Sequence, residues 1–412
     1  MIEQKTKDKL NILFFILFTL LSITSLPSKD EASRDTTLQY AIIIVFILIS
    51  IFRYGFRGLL NKRNNYDFTD LVPIIFCLVW LYGVFIGLLN NVPEKYVFRN
   101  FGGIIFYLIF YFFYTVRLNL HSVFKSIFFN AYIGIPIILY LTYLAITGGD
   151  VSGIGGERVI FCFLQLIILI PFVVIFGNFF FPIGLNKKYI IFYSKFGLLA
   201  VFFISYFVSV IISFSKGMIL ASFAIMLLIF CFRLTKGVSF KIVLRLLLLI
   251  FIMIGGLVYL DLLPMLGELF SNKEVSNATR SLQSVYLIDD LTFWGRGLGS
   301  GLTNTNLVRA DDAPYAFELT YLNLLHKFGV MALFLFGIYI YTFWKIYKMF
   351  GNDKDRNFLG LICIGLMAYV FPSIGNPFLL SPFAVVCHCI TLYIIKLDKN
   401  SYYNYSFKIK SY

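Results

Sequence analysis

The stretch Leu71–Leu89, LVPIIFCLVWLYGVFIGLL, runs for 19 residues without a charge, between Asp70 and Asn90. At about 1.5 Å per residue a helix of that length matches a hydrocarbon core about 30 Å thick. Similar runs recur along the whole chain of 412 residues. Of these, 59% are hydrophobic and 19% aromatic, and only 14% are charged, against about 25% in a soluble domain. A water-soluble fold has too little interior to hide that much apolar surface, and disorder requires the opposite composition. The chain therefore reads as an all-α, polytopic integral membrane protein.

Twelve spans are predicted, near 10–27, 38–53, 70–90, 101–117, 122–147, 158–181, 190–213, 217–233, 243–263, 319–344, 357–372 and 382–397. The first resembles a signal peptide, with Lys5, Lys7 and Lys9 ahead of an apolar stretch. No small-residue cleavage site follows it, so it is read as retained. Threading these spans with the N-terminus in the cytoplasm puts 24 of the 35 Lys and Arg on that side, and about 14 of the 21 acids on the other. That is the positive-inside pattern, and it makes both termini cytoplasmic. The net charge of +14 is then a topology signal and gives no evidence of a nucleic-acid partner. The six cysteines fall in apolar runs, with no CxxC pair and no Cys/His cluster at metal spacing.

Three regions follow from this threading: spans one to nine over 1–263, a large extracytoplasmic loop over 264–318, and spans ten to twelve with a cytoplasmic tail over 319–412. A loop of that length inside a compact protein is usually functional or disordered. Tyr286, Phe293, Trp294 and Tyr315 argue against disorder.

Charges at a membrane edge are functional candidates, because insertion at mid-helix costs roughly 2.5–3.5 kcal/mol each. Four outer basic residues stand beside apolar entries: Arg158, Lys216, Arg280 and Arg296. They could converge on one anion such as a lipid-linked pyrophosphate, which guanidinium forks suit. Alternatively they snorkel to the headgroups. Glu318 is the one carboxylate in the apolar pattern entering the tenth span. On a helix it would share a face with Tyr321, Leu322 and Leu325. It could accept a proton from a sugar hydroxyl, or serve the helix dipole at its N-terminus. The run Gly295-Arg296-Gly297-Leu298-Gly299-Ser300-Gly301 allows close backbone approach to a ligand, or simply turns the chain. It is no dinucleotide fingerprint, since no strand–helix unit surrounds it.

The order of these features resembles the O-antigen polymerase (Wzy) family, within the O-antigen polymerase and ligase superfamily of bacterial membrane glycosyltransferases. The likeness rests on Gly155-Gly156-Glu157-Arg158, on Ser215-Lys216-Gly217 and on Arg280. It continues through the glycine run and through Ala316 to Gly329 with Tyr321-Leu322. Lys216 stands where the family commonly has Arg, and Glu318 stands near the position of the ligases' His, which favours a polymerase.

The resemblance implies a polysaccharide polymerase of the bacterial cytoplasmic (inner) membrane, serving O-antigen (lipopolysaccharide) or capsule synthesis. It would join undecaprenyl-diphosphate-linked oligosaccharide repeat units by inverting glycosyl transfer on the outer face, with no cofactor, metal or nucleotide sugar. Arg158, Lys216 and Arg280 would hold the diphosphate, and Glu318 would act on the acceptor hydroxyl. Arg296, Trp294, Tyr315 and Tyr321 would contact the glycan. Membrane lipid, a chain-length regulator and a flippase are the expected partners, and no nucleic acid. The alternatives are an O-antigen ligase, which would transfer once per chain, and a lipid-linked oligosaccharide flippase. The latter would show two similar halves, and no half-to-half repeat is present.

Overall fold

The computed structural model describes residues 2–23, 36–59, 67–116, 118–147, 163–183, 195–212, 216–237, 274–303, 314–375 and 379–399. Over these residues the chain is all-α. The first half contributes α1 (Ile2–Ile23), α2 (Thr36–Leu59), α3 (Phe68–Leu89), the short α4 (Glu94–Arg99), α5 (Ile109–Val116) and α6 (Leu120–Ile146). Then come α7 (Phe163–Asn178), α8 (Lys195–Tyr206), α9 (Lys216–Thr235) and α10 (Glu274–Asp289). The last part is α11 (Thr320–Phe328), α12 (Ala332–Met349), α13 (Lys354–Leu366) and α14 (Pro382–Lys399).

Among the described residues, five helical stretches are long and apolar enough to cross a membrane: Phe68–Leu89, Leu120–Leu144, Gly217–Thr235, Thr320–Met349 and Lys354–Ile374. This is the signature of a multi-pass membrane protein. Shorter apolar helices occupy several of the remaining expected stretches, such as Leu38–Phe52 and Phe163–Asn178. The span expected over 243–263 lies outside the described residues.

The structure adds detail that the apolar runs did not carry. The stretch 101–117 is a 3-10 segment, Gly102–Leu108, running into α5. The stretch 319–344 breaks at Gly329, whose φ of +55° ends α11 before a 3-10 turn leads into α12. The 264–318 region contains α10, which packs against α11.

Helix α7 is the centre of the packing, buried from Phe163 to Gly177 on every side. A helix that is apolar all round has to be enclosed or to face lipid. Here α6, α8 and α13 enclose it. Close approach comes from glycines: a Cβ on Gly177 would lie 2.1 Å from Leu361, and one on Gly365 2.9 Å from Ile170. Small residues at such crossings let membrane helices pack by dispersion, since lipid provides no hydrophobic drive between helices.

The two ends of the bundle differ in chemistry. At one end, the side chain of Asp67 caps α3, and Lys396 of α14 reaches Asp70 Oδ2 (2.5 Å) and Asp67 Oδ1 (3.2 Å). Arg356 grips Asp398 with Nε and Nη2 at 2.8 and 2.9 Å. Lys348 lies over Trp344, and Lys236 over Tyr347. Since α3 starts here and α14 ends here, the opposite end carries the C-terminus of α3, the start of α14 and the glycine run. Phe163 meets Phe383 (ring centroids 5.0 Å), so α7 also starts at that opposite end.

Candidate functional site at the polar end of the bundle

Helix α10 presents one face to the protein. Its inward residues are Arg280, Gln283 and Leu287, spaced three to four apart as a helical face requires. Arg280 Nε donates to Glu318 Oε2 at 2.6 Å, and the Glu318 backbone N–H donates to Gln283 Oε1 at 3.2 Å. The ion pair is half-buried, with side chains 24% and 20% exposed, so it is accessible to an incoming group. Glu318 does not lie on α11. Leu319 has a non-helical backbone (φ −81°, ψ +81°) and caps the helix, which starts at Thr320. The helical face expected to join Glu318 to Tyr321, Leu322 and Leu325 is therefore not formed. Tertiary bonds from α10 hold the carboxylate in place of helix geometry.

The surroundings of the pair come from three other elements. Tyr321 donates from its hydroxyl to Val370 O at 2.7 Å, tying α11 to the 3-10 stretch Met367–Val370. Arg280 lies against Gly375, just past the 3-10 turn Pro372–Ile374. Helix α9 packs on that same turn. Its far end, at Phe232 and Lys236, meets Tyr347 at the basic end of the bundle. Lys216 thus opens α9 at the polar end. Its side chain, and all of Arg158, lie outside what is described.

Arg296 serves a second cluster. Its Nη2 donates to Asp290 Oδ1 at 2.7 Å, where Thr303 Oγ1 also donates at 2.6 Å. His326 Nε2 meets Asp290 Oδ2 at 2.8 Å. Beside it, Lys327 donates to the Ser300 carbonyl and stands 4.8 Å from the Phe317 ring centre. His326 and Lys327 are fully buried. Burial pushes the Asp290 carboxyl up, but hydrogen bonds from Thr303 and His326 and the Arg296 charge outweigh it and hold the group below 3.8. Arg296 is consequently occupied as a clamp on the end of α10. The sequence reading passed over Asp290, Gln283 and Lys327. The available signal was Lys327 itself, a cation within an apolar helical pattern.

The glycine run approaches protein backbone. Gly295, Gly297 and Gly299 have φ of +79°, +82° and +78°, a region open mainly to glycine. Leu298 N–H donates to Gly83 O at 2.8 Å, and Gly297 N–H to Lys327 O at 2.9 Å. A Cβ at Gly297 would fall 2.1 Å from Gly87 N. The run is wedged between the end of α3, α4 and the end of α11, and Asn90 Nδ2 and Asn100 Oδ1 bond its backbone.

The aromatic candidates separate. Tyr315 is 6% exposed, with its ring against Tyr96. Trp294 is 60% exposed beside Phe293, and its carbonyl accepts from the Tyr82 hydroxyl at 2.7 Å. Among the described residues, no three His, Cys, Asp or Glu side chains gather in a metal-binding group. Comparison of the chain with protein-family models, curated proteins and solved structures finds no match.

Proposed function

We propose that the protein is a polysaccharide polymerase that joins undecaprenyl-diphosphate-linked oligosaccharide repeat units at the outer face of a bacterial cytoplasmic membrane. The observation that carries this reading is the accessible Arg280–Glu318 pair at the polar end of a membrane bundle. A guanidinium and a carboxylate at that depth are the two groups a diphosphate leaving group and a hydroxyl nucleophile require. The positive-inside count, which puts the basic end in the cytoplasm, supports the outer placement.

In this mechanism the resting pair opens by exchange. The diphosphate of the donor takes over Arg280, and Glu318 turns to the hydroxyl of the acceptor sugar. The hydroxyl oxygen attacks the anomeric carbon from the face opposite the diphosphate, with its proton passing to Glu318. The bond from the anomeric carbon to the diphosphate oxygen breaks, and its electron pair leaves with undecaprenyl diphosphate. The new glycosidic bond is inverted. Arg280 meets the charge that develops on the leaving group. Arg158 and Lys216 are assigned to the same anion on their sequence positions.

Purified protein in detergent, given a single cognate undecaprenyl-diphosphate-linked repeat unit and no other enzyme, tests the reading by mass spectrometry of the lipid-linked products. Dimers and longer multiples with release of undecaprenyl diphosphate are expected. A confirmed cognate repeat unit that stays single overturns the polymerase and favours a ligase or a flippase.

A further inference from the structure

Helix α10 belongs to no apolar run, yet it carries an apolar stripe that no described residue covers. Its inward face holds Arg280, Gln283 and Leu287. On its outward side Leu282, Val285 and Ile288 are 48%, 51% and 54% exposed. The chain then turns through Phe293 and Trp294, 66% and 60% exposed. Five exposed large apolar side chains within 13 residues are unusual for a water-facing loop.

The Phe293–Trp294 turn that follows α10 is bonded to two helices long and apolar enough to cross a membrane. The Tyr82 hydroxyl of α3 bonds the Trp294 carbonyl, and Val330 N–H donates to Phe293 O at 2.9 Å. Tyr82 sits among Leu78, Leu81 and Phe85, and Val330 just ahead of Leu333 and Phe334, all of them exposed on spanning helices. We propose that α10 and the Phe293–Trp294 turn lie in the boundary between headgroups and acyl chains of the membrane that the bundle crosses. Leu282, Val285, Ile288, Phe293 and Trp294 would contact lipid there. Ser281 and Asp289 share the outward side of α10, which sets a shallow depth, as in amphipathic helices that lie in the interface plane. Trp is a preferred residue at that level. A helix seated this way would hold its inward Arg280 at the depth of a lipid-borne phosphate. The placement stands whether or not the protein is a transferase.

Trp294 is one of three tryptophans, with Trp80 and Trp344, so its depth can be read directly. The full-length Trp80→Phe/Trp344→Phe variant is reconstituted in phosphatidylglycerol and phosphatidylethanolamine vesicles carrying a nitroxide near either the carboxyl end or the methyl end of an acyl chain. Expected are blue-shifted emission, strong quenching by the shallow nitroxide, weak quenching by the deep one and protection from aqueous iodide. If that variant fails to accumulate, the difference in quenching between the wild type and Trp294→Phe reports the same quantity. Free quenching by iodide without effect of the lipid nitroxides overturns the proposal by placing the turn in water. Quenching by neither also overturns it, because protein then covers the face.

Discussion

Arg280 and Glu318, 38 residues apart in the chain, meet at 2.6 Å across the gap between α10 and the entry to α11. Arg280 stands on α10, whereas Glu318 precedes the first residue of α11. Gln283, one turn along α10 from Arg280, fixes the Glu318 backbone, so one face of α10 holds both the carboxylate and its main chain.

Glu318→Gln tests the carboxylate as a base. The amide keeps an oxygen for Arg280 but cannot take a proton, so chain extension is expected to fall at least about 100-fold. Because the pair is partly exposed, thermal stability is expected to change by less than about 1 kcal/mol. Full activity in Glu318→Gln would remove the residue from the chemistry. A large loss of stability would make it structural.

Arg280→Lys separates charge from shape. Lysine keeps the cation but loses the planar fork that matches phosphate oxygens. Its folded yield is expected to match the wild type, with a weaker grip on lipid diphosphate seen as a raised substrate requirement. Unaltered titration of undecaprenyl diphosphate against Arg280→Ala would instead leave Arg280 as a partner of Glu318 alone.

Asp290→Ala is expected to be damaging, because Asp290 receives Arg296, Thr303 and buried His326 at one carboxylate. Removing one member of a buried ionic cluster typically costs about 3–5 kcal/mol. Unfolding of the detergent-solubilised protein is the measurement. A change below about 1 kcal/mol would show the cluster to be dispensable.

The same carboxylate has a pH signature. Its folded-state pKa lies below the ordinary value of 3.8, so its stabilisation is complete above that value and is lost as pH falls through the lower folded one. The stability gap between wild type and Asp290→Asn is expected to be constant from pH 7 to about 5 and to narrow below about 4. Arg296 and His326 bond the same carboxylate, and Lys327 stands beside His326. A gap that stays constant from pH 5 to pH 3 would remove the Asp290 carboxylate as the titrating group.

Gly297→Ala is expected to disrupt the end of the bundle. Its φ of +82° disfavours any side chain, and the Cβ would strike Gly87 N. Left-handed backbone alone costs about 1–2 kcal/mol, and the clash adds to it. Gly337→Ala, with nothing within 4 Å of its Cβ, serves as the control. It is expected to be neutral or stabilising by up to about 1 kcal/mol. Equal behaviour of the two variants would refute the wedge.

Much of the fold was legible in the chain. Helices α3, α6 and α9 begin and end within a few residues of the expected stretches, since an apolar run of spanning length has few alternatives to a helix. The break at Gly329 was not legible, because it answers to Phe293 O approaching from another segment. The glycine run was visible as a pattern, but its partners Gly83 and Gly87 lie more than 200 residues away. Arg296 looked like a ligand for an anion, and its anion is Asp290, six residues earlier.

Composition along the chain makes this protein a set of apolar helices with one basic end and one polar loop. Hydrocarbon selects on composition read locally, residue by residue along each run. The pairings are set by packing: Glu318 with Arg280, Arg296 with Asp290, and the glycine run with the end of α3. Such pairings depend on which helices pack side by side, and no single segment contains that information.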